Sequence, residues 1–173
     1  MLAAMASWLT SSEDVLLASA PSLVPPSVWT PQAAAAFDWQ PSVLVIGRAL
    51  AREDRVPIER TAMLERVATL QLGLQRMAEA HWDVIVVSPG IREETDGLRF
   101  VRAFKVASKI VGEPAELLEL RGRYLRTPFL VQPLPGDSEF AVFQSASRWF
   151  LANTRAIPFA SAVLLCAARR FRS

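Results

Sequence analysis

Three short runs of β-branched and aliphatic residues constrain the fold of this sequence more than any other feature. They lie at Ser42–Gly47, Asp83–Ser88 and Pro128–Gln132, and residues that interrupt regular structure bound each of them. Uninterrupted apolar runs of this length are typical of strands covered on both faces, as in a parallel sheet packed between two layers of helices. Two weaker strand candidates lie at Val15–Ser19 and Thr154–Ile157. We therefore expect a parallel sheet at the centre of the fold.

Between the strand candidates, apolar residues recur at intervals of three and four, which is the period of an amphipathic helix. The segments with this period are a long helix near 57–81, helices at 95–112, 114–123, 137–151 and 157–171, and a shorter one at 30–39. Thr10 and Glu13 have the spacing of a capping box, which leaves a helix open for the segment from Val15. The alternation predicts an α/β fold with a doubly wound, five-stranded parallel sheet and helices on both faces.

Composition limits the class of protein and of partner. The chain of 173 residues has the size of one domain, and 51% hydrophobic residues exclude a disordered chain. A formal net charge of +2 argues against nucleic acid as a partner. Cys166 is the one cysteine, and neither a signal peptide nor a membrane span is evident, so we expect a cytoplasmic protein without membrane contact. Residues 1–12 are interpreted as an N-terminal extension and 13–173 as the α/β domain.

No set of residues with the spacing of a catalytic or metal-binding site stands out in the sequence. His81 is the one histidine and Cys166 the one cysteine. The sequence therefore lacks the further ligands of a zinc site and the partners needed for Cys-His or Ser-His catalysis. Glu93, Glu94 and Asp96 form an acidic cluster that either binds a cation or begins a solvated helix. We therefore expect no enzymatic activity, no metal and no cofactor. An enzyme with an external cofactor that leaves no motif stays an alternative.

Several segments resemble the receiver domain of response regulators. Asp83–Gly90 with Asp96–Arg102 is similar to the third strand, the loop after it and the third helix of that family. Arg126–Val131 looks like the fourth strand, Ile157–Phe159 like the junction before the fifth helix, and Val15–Pro21 like the first strand and its turn. The resemblance covers about residues 13–172. It implies a flavodoxin-like sheet with the strand order 2-1-3-4-5.

The residues that a working receiver uses for phosphorylation are absent from the corresponding positions. The family holds Mg²⁺ with an acidic pair after the first strand and accepts phosphate on an aspartate that ends the third. It also uses a Thr or Ser after the fourth strand and a Lys after the fifth. By the resemblance, the corresponding residues are Ala18 and Ser19, Ser88, Pro133 and Ile157. None of them supplies a carboxylate or an ammonium group, so the resemblance implies a vestigial phosphoacceptor pocket in a pseudo-receiver.

Two spacings also depart from the family. The helix near 57–81 is longer than the resemblance implies, and residues near 112–126 form an insertion before the fourth strand. Both extensions add surface that is peculiar to this chain. We therefore expect them to contribute to an interface.

Tryptophan is frequent for a chain of this length, with five in all. Trp82 and Trp149 are predicted to lie in the core. Others mark a candidate interface, because tryptophan is enriched in protein contacts. The candidate interface residues are Trp8, Trp29, Trp39, Phe140, Phe143, Arg169 and Arg170.

The sequence thus favours a phosphorylation-independent, receiver-like interaction module in signalling or regulation. Its expected partner is a protein, which could be a second copy bound through the fourth helix, fifth strand and fifth helix, the face by which the family associates. The alternative is a structural subunit of a large assembly, such as a virion or a secretion machine, without enzymatic activity.

Overall fold

A central six-stranded sheet organises the chain. The computed structural model describes residues 40–91, 95–107, 111–134, 136–145 and 148–172. The strands are β1 Ser42–Ile46, β2 Met63–Val67, β3 Val84–Val87, β4 Gly90–Ile91, β5 Thr95–Asp96, β6 Phe129–Val131, β7 Glu139–Ser145 and β8 Arg148–Asn153. Strands β4 and β5 form a separate antiparallel ribbon. The order in the main sheet is β2-β1-β3-β6-β7-β8. The first four strands are parallel, whereas β7 pairs antiparallel with β6, and β8 antiparallel with β7.

Helices cover both faces of this sheet, as the alternation predicted. They are α1 Arg52–Thr61, α2 Leu70–Glu79, α3 Gly97–Val101, which continues as a π-helical turn over Arg102–Val106, α4 Ala115–Arg123 and α5 Phe159–Arg172. Leu44 and Ile46 of β1 belong to a core with α2, α3 and α4, whereas Val43 and Val45 belong to a second core with α1 and α5. Because successive side chains of a strand point to opposite faces, the apolar run of β1 supplies both cores.

The three apolar runs are confirmed as adjacent parallel strands, β1, β3 and β6, but the expected strand order is wrong for this sheet. The prediction placed a first strand at Val15–Ser19, which lies outside the described residues. The prediction made Ser42–Gly47 the second strand, at the edge of the sheet, whereas β1 lies between β2 and β3. Six of the described strands form the sheet, where five were expected. Trp82 and Trp149 are buried in the core, as predicted.

The long helix predicted near 57–81 is interrupted by a strand. Helix α1 ends at Thr61, β2 follows at Met63–Val67, and α2 begins at Leu70. Apolar residues in this segment are spaced compatibly with both a helix and a strand. Pairing decides for the strand, because β2 hydrogen-bonds along the free edge of β1 and the Glu65 carboxylate pairs with the Arg76 guanidinium at 2.6 Å.

The helix predicted at 137–151 is wrong, because this segment forms most of the antiparallel hairpin of β7 and β8. A helix would place Phe140 and Phe143 on one face, yet in β7 they enter the two different cores and are 2% and 0% exposed. The predicted strand at Thr154–Ile157 is a turn and a bend. Two of the three elements expected to build the interface, the helix at 137–151 and the strand at Thr154–Ile157, are therefore replaced by other structure, whereas the last helix is present as α5.

Two basic side chains join α3 to α4. Each of them caps the carboxyl end of the helix that carries the other. The Lys105 ammonium, on a residue only 3% exposed, donates to the carbonyl oxygens of Tyr124, Leu125 and Thr127 at 2.7, 2.8 and 2.7 Å. From α4, Arg121 donates through Nε to the Phe104 carbonyl at 2.9 Å, and its Nη1 pairs with Glu113 at 2.8 Å.

Both contacts place a cation at the negative end of a helix, where the last carbonyls lack partners within the helix. The segment predicted as an insertion is therefore tied to the core through its ends. Its helix, α4, confirms the expectation at 114–123.

None of the helices described is both long enough and apolar enough to cross a membrane.

Candidate functional site

A cleft opens at the edge where the parallel strands β1, β3 and β6 end. In α/β sheets, ligands bind at this edge because the loops after the strands converge there. The cleft has a volume of about 580 Å³, within the range of small-molecule sites. Its lining residues are Arg48, Ala49, Ala51, Glu53, Asp54, Gln132, Pro133, Leu134, Gly136, Asp137, Thr154, Pro158 and Phe159.

The turn after β1 brings Arg48 beside Ser88 and Gln132. Gly47 adopts a φ of 104°, a left-handed conformation that glycine accepts without a Cβ penalty. Its N–H donates to the Val67 carbonyl at 2.8 Å, which continues the pairing of β1 with β2. The Arg48 N–H then donates to Ser88 Oγ at 3.0 Å, and the Arg48 carbonyl accepts from Gln132 Nε2 at 3.0 Å. The Arg48 side chain itself is exposed.

The hydroxyl of Ser88 is enclosed and hydrogen-bonded to the backbone. Ser88 is 1% exposed and follows directly after β3. Besides accepting from Arg48, Ser88 Oγ lies 3.0 Å from the Gly90 carbonyl and 3.4 Å from the Ile46 carbonyl, to which it can donate. The hydroxyl thus joins the loops after β1 and β3. Its geometry suits a structural turn.

Replacing Ser88 by alanine is expected to lower the free energy of unfolding by about 1–2 kcal/mol, because the Arg48 N–H and the Gly90 carbonyl each lose a partner. Urea denaturation measures this change. Thr61→Ala, which removes an exposed hydroxyl that donates to the Pro57 carbonyl, is the control and should change the value by less than about 0.5 kcal/mol. Equal effects of the two substitutions would contradict the structural role of Ser88.

Three carboxylates line the cleft, and one of them caps a helix. Asp54 in α1 accepts a hydrogen bond from the backbone N–H of Ala160, in the first turn of α5. Burial raises the pKa of Asp54, and the nearby Glu53 raises it further, while the bond from Ala160 opposes both. Asp137 Oδ1 accepts from the Glu139 N–H at 3.1 Å. The Asp54 contact joins α1 to α5 beneath the cleft.

The raised pKa of Asp54 predicts a pH-dependent effect of Asp54→Asn. Because the folded-state pKa lies above the ordinary value of 3.8, this carboxyl stabilises the fold below that pH, and the contribution is lost as the pH rises through the raised pKa. The asparagine oxygen can still accept from Ala160. The difference in the free energy of unfolding, variant minus parent chain, should therefore be larger at about pH 7 than at about pH 4. Urea denaturation at both pH values tests this, and a constant or falling difference would contradict it.

The structure unites only part of the predicted phosphoacceptor pocket. Ser88 and Pro133 lie at the same sheet edge, and Pro133 lines the cleft. Ile157 is buried in the core with α1 and α5. Ala18 and Ser19 lie outside the described residues, and the turn after β1 occupies the neighbouring position at this edge with Gly47 and Arg48.

The predicted interface residues do not form one surface in the described part of the chain. Phe140 and Phe143 lie in the two cores. Arg169 and Arg170 belong to α5, but their side chains lie outside what is described. Trp8, Trp29 and Trp39 also lie outside the described residues.

Sequence reasoning missed the charged lining of the cleft. Arg48, Glu53, Asp54 and Asp137 come from separate loops and helix starts, and no spacing between them marks a site. The acidic pair in the first turn of α1 was a usable signal, but it is also the common composition of a helix start. Within the described residues, no group of three or more His, Cys, Asp or Glu side chains is arranged to hold a metal ion.

Comparisons with protein-family models, curated proteins and solved structures found no match to this chain.

Proposed function

We propose that this chain is a receiver-like module that acts by binding a protein partner and does not use aspartyl-phosphate chemistry. The parallel part of the sheet supports the receiver-like assignment. Counted along the chain from β1, its four parallel strands, β2-β1-β3-β6, follow the order second, first, third, fourth. Helix α5 also begins just after Pro158, as the resemblance requires.

The observation that carries the proposal is the state of Ser88, at the end of the third of these strands. A phosphoacceptor needs a nucleophilic oxygen that faces solvent and groups that neutralise the transferred charge. Ser88 offers a hydroxyl that is 1% exposed and used by backbone groups on three sides. A module with this pocket signals through complex formation and not through phosphoryl transfer.

Incubation of the full chain with acetyl phosphate and Mg²⁺ tests this part of the proposal. Intact-mass spectrometry should show no added phosphoryl group. The Ser88→Asp variant should also stay unmodified, because among the described residues neither a lysine nor a metal-binding group lies beside that position. Stoichiometric, acid-labile phosphorylation of the parent chain would overturn the proposal.

The surface of α4 supports the binding role. Leu118 in α4 and Leu125, two residues beyond the end of α4, are 58% and 53% exposed. Together with Phe104 and Ala107 they line a mainly apolar cavity of about 200 Å³. A contiguous exposed apolar patch is one mark of a protein contact site.

Charge suggests the chemistry of the partner. Arg126 is exposed next to Leu125, and its guanidinium makes no ion pair with the described residues. Arg123, by contrast, lies 3.6 Å from the Glu119 carboxylate. We therefore expect an amphipathic segment of a partner protein with apolar side chains over Leu118 and Leu125 and an acidic residue opposite Arg126.

A photo-crosslinking amino acid placed at position 118 tests this surface in the native host. Position 72 is the matched control, because Leu72 is an exposed leucine, 42% exposed, on α2. A discrete adduct of a second protein from position 118, absent from position 72, is expected. Equal adducts from both positions, no adduct, or an adduct with another copy of the same chain would overturn the partner assignment.

A further inference from the structure

The cleft at the carboxyl edge of the sheet has an acidic lining. Glu53, Asp54 and Asp137 contribute carboxylates, against the single guanidinium of Arg48 among the described residues around it. The carboxylates come from α1 and from the loop before β7, so they approach the cleft from two sides. A volume of about 580 Å³ accommodates a small organic molecule and not a large one.

Gln132, which lines the same cleft, carries an acceptor that no described residue uses. Gln132 is 9% exposed, and its Nε2 is used by the Arg48 carbonyl. Its Oε1 accepts no hydrogen bond from the residues that the structure describes, and it is not sealed away from the cleft. A hydrogen bond from a donor to a carboxamide oxygen in this setting lowers the free energy. The cleft thus presents an unused acceptor in addition to its carboxylates.

Local structure accounts for only part of the acidic lining. Asp54 caps the first turn of α5 through the Ala160 N–H, and Asp137 uses one oxygen on the Glu139 N–H. Glu53 is exposed and makes no ion pair with a described residue. Its carboxylate, the second oxygen of Asp137 and Gln132 Oε1 remain as acceptors without a donor among the described residues. This arrangement favours a ligand rich in N–H donors and positive in charge.

We propose that this cleft binds a small organic cation through an ammonium or guanidinium group. The carboxylates hold its charge, and Gln132 Oε1 orients one N–H. This site stands apart from the proposed function on α4, which lies on the other face of the sheet. The cation is either a free amine or the basic side chain of another protein, since both carry the same group.

Isothermal titration of the full chain with agmatine, which carries both groups, tests the proposal. One agmatine per chain should bind, and Glu53→Gln should weaken binding about tenfold by removing a charge-assisted contact. Glu116→Gln is the control, because Glu116 has the same place in the first turn of α4 and lies away from the cleft. It should leave agmatine binding unchanged. Gln132→Met should also weaken binding, with an unchanged circular dichroism spectrum.

Further probes distinguish the outcomes. Arg48→Gln should strengthen agmatine binding, because a like charge leaves the rim of the cleft. Weaker binding of acetyl-Gly-Arg-Gly-amide than of agmatine identifies a free amine as the ligand, and stronger binding identifies a protein side chain. No agmatine binding, equal affinity in Glu53→Gln, or binding of succinate in place of agmatine would overturn the proposal.

Discussion

Replacing Lys105 by methionine is expected to lower the free energy of unfolding by about 2–4 kcal/mol. Three carbonyl oxygens just after α4 share one ammonium group at 2.7–2.8 Å, and the residue is 3% exposed. Methionine preserves the length and the apolar packing of the stem, so the change removes mainly the donors. The carbonyls of Tyr124 and Thr127 would then be buried without this partner. Urea denaturation followed by circular dichroism measures the loss.

Arg123→Met is the matched control for this substitution. Arg123 also donates to a helix-end carbonyl, that of Ala78 at 3.0 Å, but its side chain is 41% exposed. Water can replace an exposed donor, so we expect a loss of less than about 1 kcal/mol. A Lys105→Met variant as stable as the parent chain would contradict the capping role, and so would equal losses in the two variants.

Gly97→Ala is expected to destabilise the chain by about 3 kcal/mol or more. A Cβ at this position would lie 1.9 Å from the Ser88 carbonyl oxygen and 2.9 Å from Val87 Cγ1. The Gly97 N–H donates to the Pro89 carbonyl at 2.9 Å, which holds the start of α3 against this loop. Relief of the overlap therefore requires α3 to move away from the end of β3. Thermal and urea unfolding both report the effect.

Gly122→Ala gives the opposite expectation at a glycine with free space. A Cβ there meets nothing within 4 Å, and the residue lies inside α4. Alanine favours a helix over glycine by about 1 kcal/mol, so this variant should be more stable than the parent chain by up to that amount. Destabilisation by both substitutions, or by neither, would contradict the close approach of α3 to β3.

Local pattern predicted those elements whose burial allows one conformation. Val84–Val87 is apolar at every position and buried at every position, which suits a strand covered on both faces. The period of three and four also located α5 and α4 correctly. In these segments the local preference and the tertiary environment agree.

Local pattern failed where the apolar spacing fits two conformations. Phe140 and Phe143 are three residues apart, which places them on one side of a helix but on opposite faces of a strand. The free edge of β6 favours the strand, because β7 pairs with it and is then covered on both faces. Met63–Val67 became a strand in the same way, beside β1. Sequence separation hides both partners from a local analysis.

The candidate site was predictable only in its location. The carboxyl edge of the parallel strands follows from the runs at β1, β3 and β6, and Ser88 was identified at that edge. Arg48, Glu53, Gln132 and Asp137 meet there because separate loops converge, and no interval in the sequence relates them.

By itself, the sequence determined an α/β chain with apolar strands at its centre, because continuous apolar runs can be buried only between two layers. It also determined that the residue directly after β3 is Ser88, which supplies a hydroxyl and no carboxylate. Only the tertiary structure decided which ambiguous segments became strands, which carbonyls Lys105 and Arg121 cap, and which side chains share the cleft. The physical reason is that hydrogen-bond pairing and side-chain contact join residues far apart in the chain, whereas periodicity reports only on neighbours.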